Sequence, residues 1–230
     1  MQPTIPKHLN QYALACLEAL QQSGLGQHIS LGGALGLAHY HEYRTTKDVD
    51  AWWNQDTTEK DEKRVISLLE KTLARFGEVR IREFGDVLSL DLVHESQVVF
   101  NFQIARRSVQ LRPSLPSSWA PVKLDSFEDL LASKMTALLQ RGIPRDFLDI
   151  FEICHRGLGT SQRCWDLWRE REKKRGVEQP DVRLAVKALL VHLSRIERMR
   201  PLESIKNLES RRKAQALREW FKNEFCQGKI

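Results

Sequence analysis

The chain has 230 residues, with 41% hydrophobic and 29% charged side chains. That length suffices to bury roughly 70% of the unfolded surface in a real core, and the composition excludes a disordered or fibrous chain. No stretch approaches the roughly 18 uninterrupted apolar residues of a membrane span, and MQPTIPKHLN has no apolar segment of the signal-peptide kind. A cytoplasmic protein with no membrane partner is expected. Cys16, Cys154, Cys164 and Cys226 show no CxxC spacing, so neither a zinc site nor a disulfide framework is suggested, and buried reduced thiols are expected. The net charge of +6 is unevenly placed: residues 156–230 hold 19 Lys and Arg against 10 Asp and Glu, leaving 17 against 20 before them. Such a skew marks either a surface facing nucleic acid or the solvated faces of long helices.

In chain order, apolar residues at helical spacing predict a helix over 7–23, closed by Gly24 and Gly26. Ile29 and Leu31 read as a strand end running into Gly32-Gly33, with a short helix, ALGLAHYHEY, directly after. Strand-length apolar runs follow at 47–53, 79–84, 86–93 and 97–105, with an amphipathic helix near 58–76. The last two runs alternate well and flank His94-Glu95-Ser96, which predicts a hairpin. Beyond the Pro-rich link LRPSLPSSWAP the pattern turns helical: SFEDLLASKMTALLQR, PRDFLDIFEICHR, a Trp-rich helix at 161–173, RLAVKALLVHLSRI, and a final stretch to about Phe225. The fold class is α+β, a small mixed sheet flanked by helices and followed by a helical C-terminal region. The expected domains are 1–122 and 123–230.

In RTTKDVDAWW, Asp48 and Asp50 are two residues apart on a strand and so project from one face. Paired carboxylates repel unless a cation or basic group lies between them. Mg²⁺, which favours carboxylates plus substrate phosphates, fits that arrangement; the alternative is a hydrated turn whose carboxylates pair with Arg44 and Lys47. Gly32 and Gly33, between a strand end and a helix start, suit a phosphate received by backbone N–H groups.

LGGALGLAHYHEYRTTKDVDAWW resembles the first motif of the nucleotidyltransferase superfamily related to DNA polymerase β. DSFEDLLASKMTALLQRGIPRDFLDIFEI, residues 125–153, resembles the C-terminal motif of the AbiEii-type abortive-infection toxin nucleotidyltransferases. Together they span about a hundred residues, and the Trp-rich flanks carry no usable motif. The resemblance implies a nucleotidyltransferase-type sheet completed by the helical region, with Mg²⁺ or Mn²⁺ held by Asp48 and Asp50. It implies NTP as substrate, tRNA 3′ ends or another RNA as acceptor, and a cognate antitoxin in a toxin-antitoxin or phage-defence system; the charge skew makes the basic C-terminal region the expected place for RNA.

Gly142 ending one helix and Pro144 opening the next predict a tight turn that brings Lys134 near the new helix start. Lys134, with Arg145, is the candidate for phosphate charge. An Arg145–Asp149 pair at i,i+4 would leave Asp146 to orient Lys134 or to accept a proton; the alternative is a structural Lys134–Asp146 salt bridge. Relatives usually carry a third carboxylate. Here Asn101 looks like its position, and Asp91 is the other candidate for the third metal ligand. An amide coordinates through oxygen but is no base, so a degenerate fold that binds nucleotide or a protein without chemistry is the competing expectation. His39 and His41 face apart on a helix, and the tryptophans, Trp52, Trp53, Trp165, Trp168 and Trp220, are expected mainly in the core. No GxSxG, HExxH or P-loop string supports another enzyme class.

Overall fold

The computed structural model describes residues 2–227. The chain divides into two compact units at Leu130/Leu131. In the first, Asn10 caps α1 (Gln11–Ser23) by accepting from the Tyr12 amide, so the helix starts later than its apolar spacing suggests, and left-handed Gly24 ends it. Next come β1 (Ile29–Leu31), α2 (Gly33–Ala38), β2 (Asp48–Trp53) and α3 (Glu59–Leu73), then β3 (Glu78–Phe84), β4 (Val87–His94) and β5 (Gln97–Ala105). The proline-rich stretch is more than a link. It contains β6 (Leu115–Pro116), and β7 (Lys123–Leu124) follows it to pair in parallel with β1.

The seven strands form one mixed α+β sheet in the order β3-β4-β5-β2-β1-β7-β6. The β4–β5 hairpin closes through Glu95 and Ser96, both at positive φ, which suits the twist of a two-residue turn. Period-two alternation sends Val49, Ala51, Leu88, Leu90, Phe100, Phe102 and Ile104 into a core with Cys16, Leu17 and Leu20 of α1 and Val65 and Leu69 of α3. Each buried Val, Leu, Ile or Phe among them contributes about 1.5–3 kcal/mol by leaving water. The opposite face is polar.

The second unit is helical, continuing α4 (Phe127–Gln140) into α5 (Pro144–His155), α6 (Ser161–Lys174), α7 (Val182–Met199) and α8 (Leu208–Trp220), with a π turn at Phe221–Phe225. Trp165, Trp168 and Trp220 are buried, the last two rings packing edge-on or tilted against Trp165 and Phe225 respectively. Cys154 is half-buried rather than buried, and its Sγ lies 3.7 Å from that of Cys164; helix packing brings together two thiols ten positions apart. Among the described residues no helix is long and apolar enough to cross a membrane.

Candidate active site

The polar face of the sheet carries the aspartates. Asp48 pairs in register with Asn101 and Asp50 with Gln103 across the parallel β2–β5 ladder, while Asn101 pairs with Asp91 across β4–β5. Register partners share a face, so Asp48, Asn101 and Asp91 form one row across three strands. Both Asp48 and Asp50 are half-buried while Val49 between them is fully buried.

The two glycines are shaped by this strand. Gly33 stands at φ +56°, and a Cβ there would lie 1.9 Å from Asp50 Oδ2. A Cβ on Gly32 would lie 2.4 Å from Trp52 Nε1, and the Gly32 amide donates to the Asp50 carbonyl at 2.8 Å. The glycines thus admit the Asp50 carboxylate and the Trp52 indole against the start of α2.

Trp52 is the tryptophan that escapes the core. Arg107 places its guanidinium 5.4 Å from the centre of that ring, donates to Ser30 Oγ at 2.9 Å and pairs with buried Asp125, with Asp129 Oδ1 3.8 Å away. Burial pushes the Asp125 carboxyl above its ordinary range, and Arg107 opposes that shift. Sequence reasoning missed Arg107, Asp125 and Asp129; the i,i+4 spacing of the two aspartates was visible, but nothing local pointed to their arginine.

Asp91 lies one strand beyond Asn101, and alternate strands are about 10 Å apart. Its carboxylate is occupied: Arg82 pairs with it, and Asn101 Nδ2 and Ser89 Oγ donate to Oδ1 at 2.6 and 3.1 Å. Among the described residues no group of three or more His, Cys, Asp and Glu side chains is arranged to hold a metal. The available donor set is two carboxylates with the Asn101 amide beside them. That set suits a hard cation that completes its shell with water and phosphate oxygens.

In the second unit Lys134 pairs with Asp149 at 2.5 Å, both nearly inaccessible. Asp149 is thus committed to Lys134, while Arg145 is exposed. Nor is Asp146 left open: Arg141 donates to both its oxygens at 2.8 and 2.9 Å, and the Ile143 amide donates to Oδ2 at 3.2 Å. Neither the Lys134–Asp146 bridge nor an uncommitted Asp146 is found. The turn between α4 and α5 explains the difference: Gly142, at φ +51°, lets the chain reverse so that Asp146 falls at the third position of α5 and caps it. His39 is buried, its Nδ1 2.8 Å from the Leu35 carbonyl and its ring edge-on to Trp119.

Comparison with curated proteins gives no match. The model of one family, the nucleotidyl transferase AbiEii toxin of type IV toxin-antitoxin systems, matches residues 15–225. The match extends past the two motifs, through the intervening sheet and the Trp-rich helices. With glycines packed against a one-faced pair of strand aspartates, and a lysine helix followed by a tightly capped PRD turn, the chain belongs to the AbiEii nucleotidyl transferase toxin family.

Proposed function

We propose that the protein transfers a nucleoside monophosphate from an NTP to an acceptor hydroxyl, in the cytoplasm, as the toxin of a toxin-antitoxin pair with a cognate antitoxin as partner. The hydroxyl oxygen would bond to the α-phosphorus as the bond to pyrophosphate breaks and the hydroxyl proton passes to solvent water. The single observation that carries the reading is the placement of Asp48 and Asp50 on one face of β2, with Gly33 open to the Asp50 carboxylate. Asp48 and Asp50 would hold Mg²⁺ or Mn²⁺. Such a cation supplies charge neutralisation at the phosphates during attack.

Gly33 is assigned to the phosphate-side backbone, Gly32 to the close approach of the Trp52 indole because its amide is already given to the Asp50 carbonyl, and Lys134 and Arg145 to phosphate charge. Asp146 is given the task of anchoring the α4–α5 turn, its carboxylate being held by Arg141 and the Ile143 amide. The acceptor we favour is RNA, with tRNA 3′ ends first, bound at the basic C-terminal region.

The test is incubation of the protein with Mg²⁺, each α-³²P-labelled NTP in turn and total tRNA, beside an Asp48→Ala/Asp50→Ala control. Label that moves to RNA only with the unaltered chain supports the reading and names the nucleotide. A second reading is favoured by the neutral side chain at Asn101: a fold that binds nucleotide without transfer. Mg²⁺-NTP binding with no label moved to RNA or protein would favour it.

A further inference from the structure

A carboxylate can only accept hydrogen bonds, so the branch of the Asn101 amide that meets Asp91 must be the nitrogen. Nδ2 is also 2.5 Å from Ser89 Oγ, which pins it toward β4 a second time. In a planar amide the oxygen then takes the other branch, on the side of β5 away from β4. That is the side of β2, where Asp48 is the register partner.

We propose that Asp91 is a positioning residue that fixes the Asn101 carboxamide so that Oδ1 joins Asp48 and Asp50 as a neutral third ligand to a divalent cation. The inference rests on the metal-site reading above. Asp91 is 2% exposed, and Arg82 supplies the opposite charge that lets a carboxylate remain buried there. The donor set then carries two negative charges rather than three. It also follows that restoring a carboxylate at 101 alone does not repair the site, because the new anion would face Asp91 across a gap now bridged by a 2.6 Å hydrogen bond. Exchanging the two residues would instead keep one amide and one carboxylate in contact, with the carboxylate now beside Asp48.

Mn²⁺ binding to the EDTA-treated full chain, followed by the paramagnetic resonance of free Mn²⁺, tests this with Asp91→Asn, Asn101→Asp, the exchange Asp91→Asn/Asn101→Asp, and Asp48→Ala. Asp91→Asn should weaken binding about 10-fold, the lower end of what removing a partner behind a ligand costs. Asn101→Asp should not tighten it, whereas the exchange should bind at least as well as the unaltered chain. In the unaltered chain, Mg²⁺ should shift the Asn101 side-chain ¹³Cγ resonance, a readout that stands even if Asp91→Asn fails to fold. Unchanged Mn²⁺ affinity in a folded Asp91→Asn chain, or an Asn101 ¹³Cγ unmoved at saturating Mg²⁺, overturns the proposal. Undiminished Mn²⁺ binding by Asp48→Ala would instead overturn the metal-site reading itself.

Discussion

The Asp50 carboxylate occupies the space that a side chain on Gly33 would need, with Oδ2 1.9 Å from the position of a Cβ and φ at +56°. Gly33→Ala therefore meets two obstacles: a left-handed backbone costing about 1–2 kcal/mol and a displaced carboxylate. The expected result is Mn²⁺ affinity and nucleotidyl transfer reduced about 10-fold or more, with a smaller loss of thermal stability. Isothermal titration beside a melting curve separates the two effects.

Lys134 and Asp149 form a nearly inaccessible pair, so removing one partner strands a buried charge. Asp149→Ala should lower unfolding free energy by about 3–5 kcal/mol in urea denaturation. Lys134→Met/Asp149→Leu should recover much of that loss while leaving transfer abolished, if Lys134 carries phosphate charge.

Asp146 binds the Ile143 amide as the helix cap and pairs with Arg141, whose side chain is half exposed. Asp146→Ala should cost about 1–2 kcal/mol as a lost cap, and Arg141→Gln less than about 1 kcal/mol. A role as proton acceptor would instead appear as a loss of kcat in Asp146→Asn with stability nearly kept.

His39 has its pKa lowered from 6.5, first by burial, with the Leu35 carbonyl opposing. The unfolded chain therefore binds the proton more readily than the folded one as pH falls through 6.5, so stability is lost toward acid. Melting temperature should drop between pH 7 and pH 5, and His39→Gln should flatten that slope. An equal slope in both would remove His39 as its source.

The RNA assignment is best tested away from side chains already committed. Arg211 donates to the carbonyls of Ile205 and Glu203, and Lys213 pairs with Glu152 at 2.5 Å. Reversing either would disturb the helices as well as any RNA bound there. Arg212→Glu and Lys206→Glu, both at exposed positions, should weaken tRNA binding and reduce the slope of log K against log salt by about 0.7 for each phosphate no longer neutralised. Retained affinity and slope would place RNA elsewhere.

Where a property depends on chain neighbours, it was legible in the sequence. Period-two alternation put Asp48 and Asp50 on one face, alternating runs on either side of His94-Glu95-Ser96 marked the hairpin, and the KM-x-ALLQRG-x-PRD string carried the family that the match over residues 15–225 shows. Other properties depend on which elements become neighbours. Whether Asp149 or Asp146 meets Lys134 turns on how the chain reverses at Gly142, and the covering of Trp52 by Arg107 joins residues 55 positions apart. The row Asp48–Asn101–Asp91 exists only because β5 pairs in parallel with β2 and antiparallel with β4. A one-residue slip in either ladder would turn Asn101 to the other face. Strand register is a tertiary choice, made by burial of Phe100, Phe102 and Ile104 on the opposite side, and with it came the placement of Asn101 between Asp48 and Asp91.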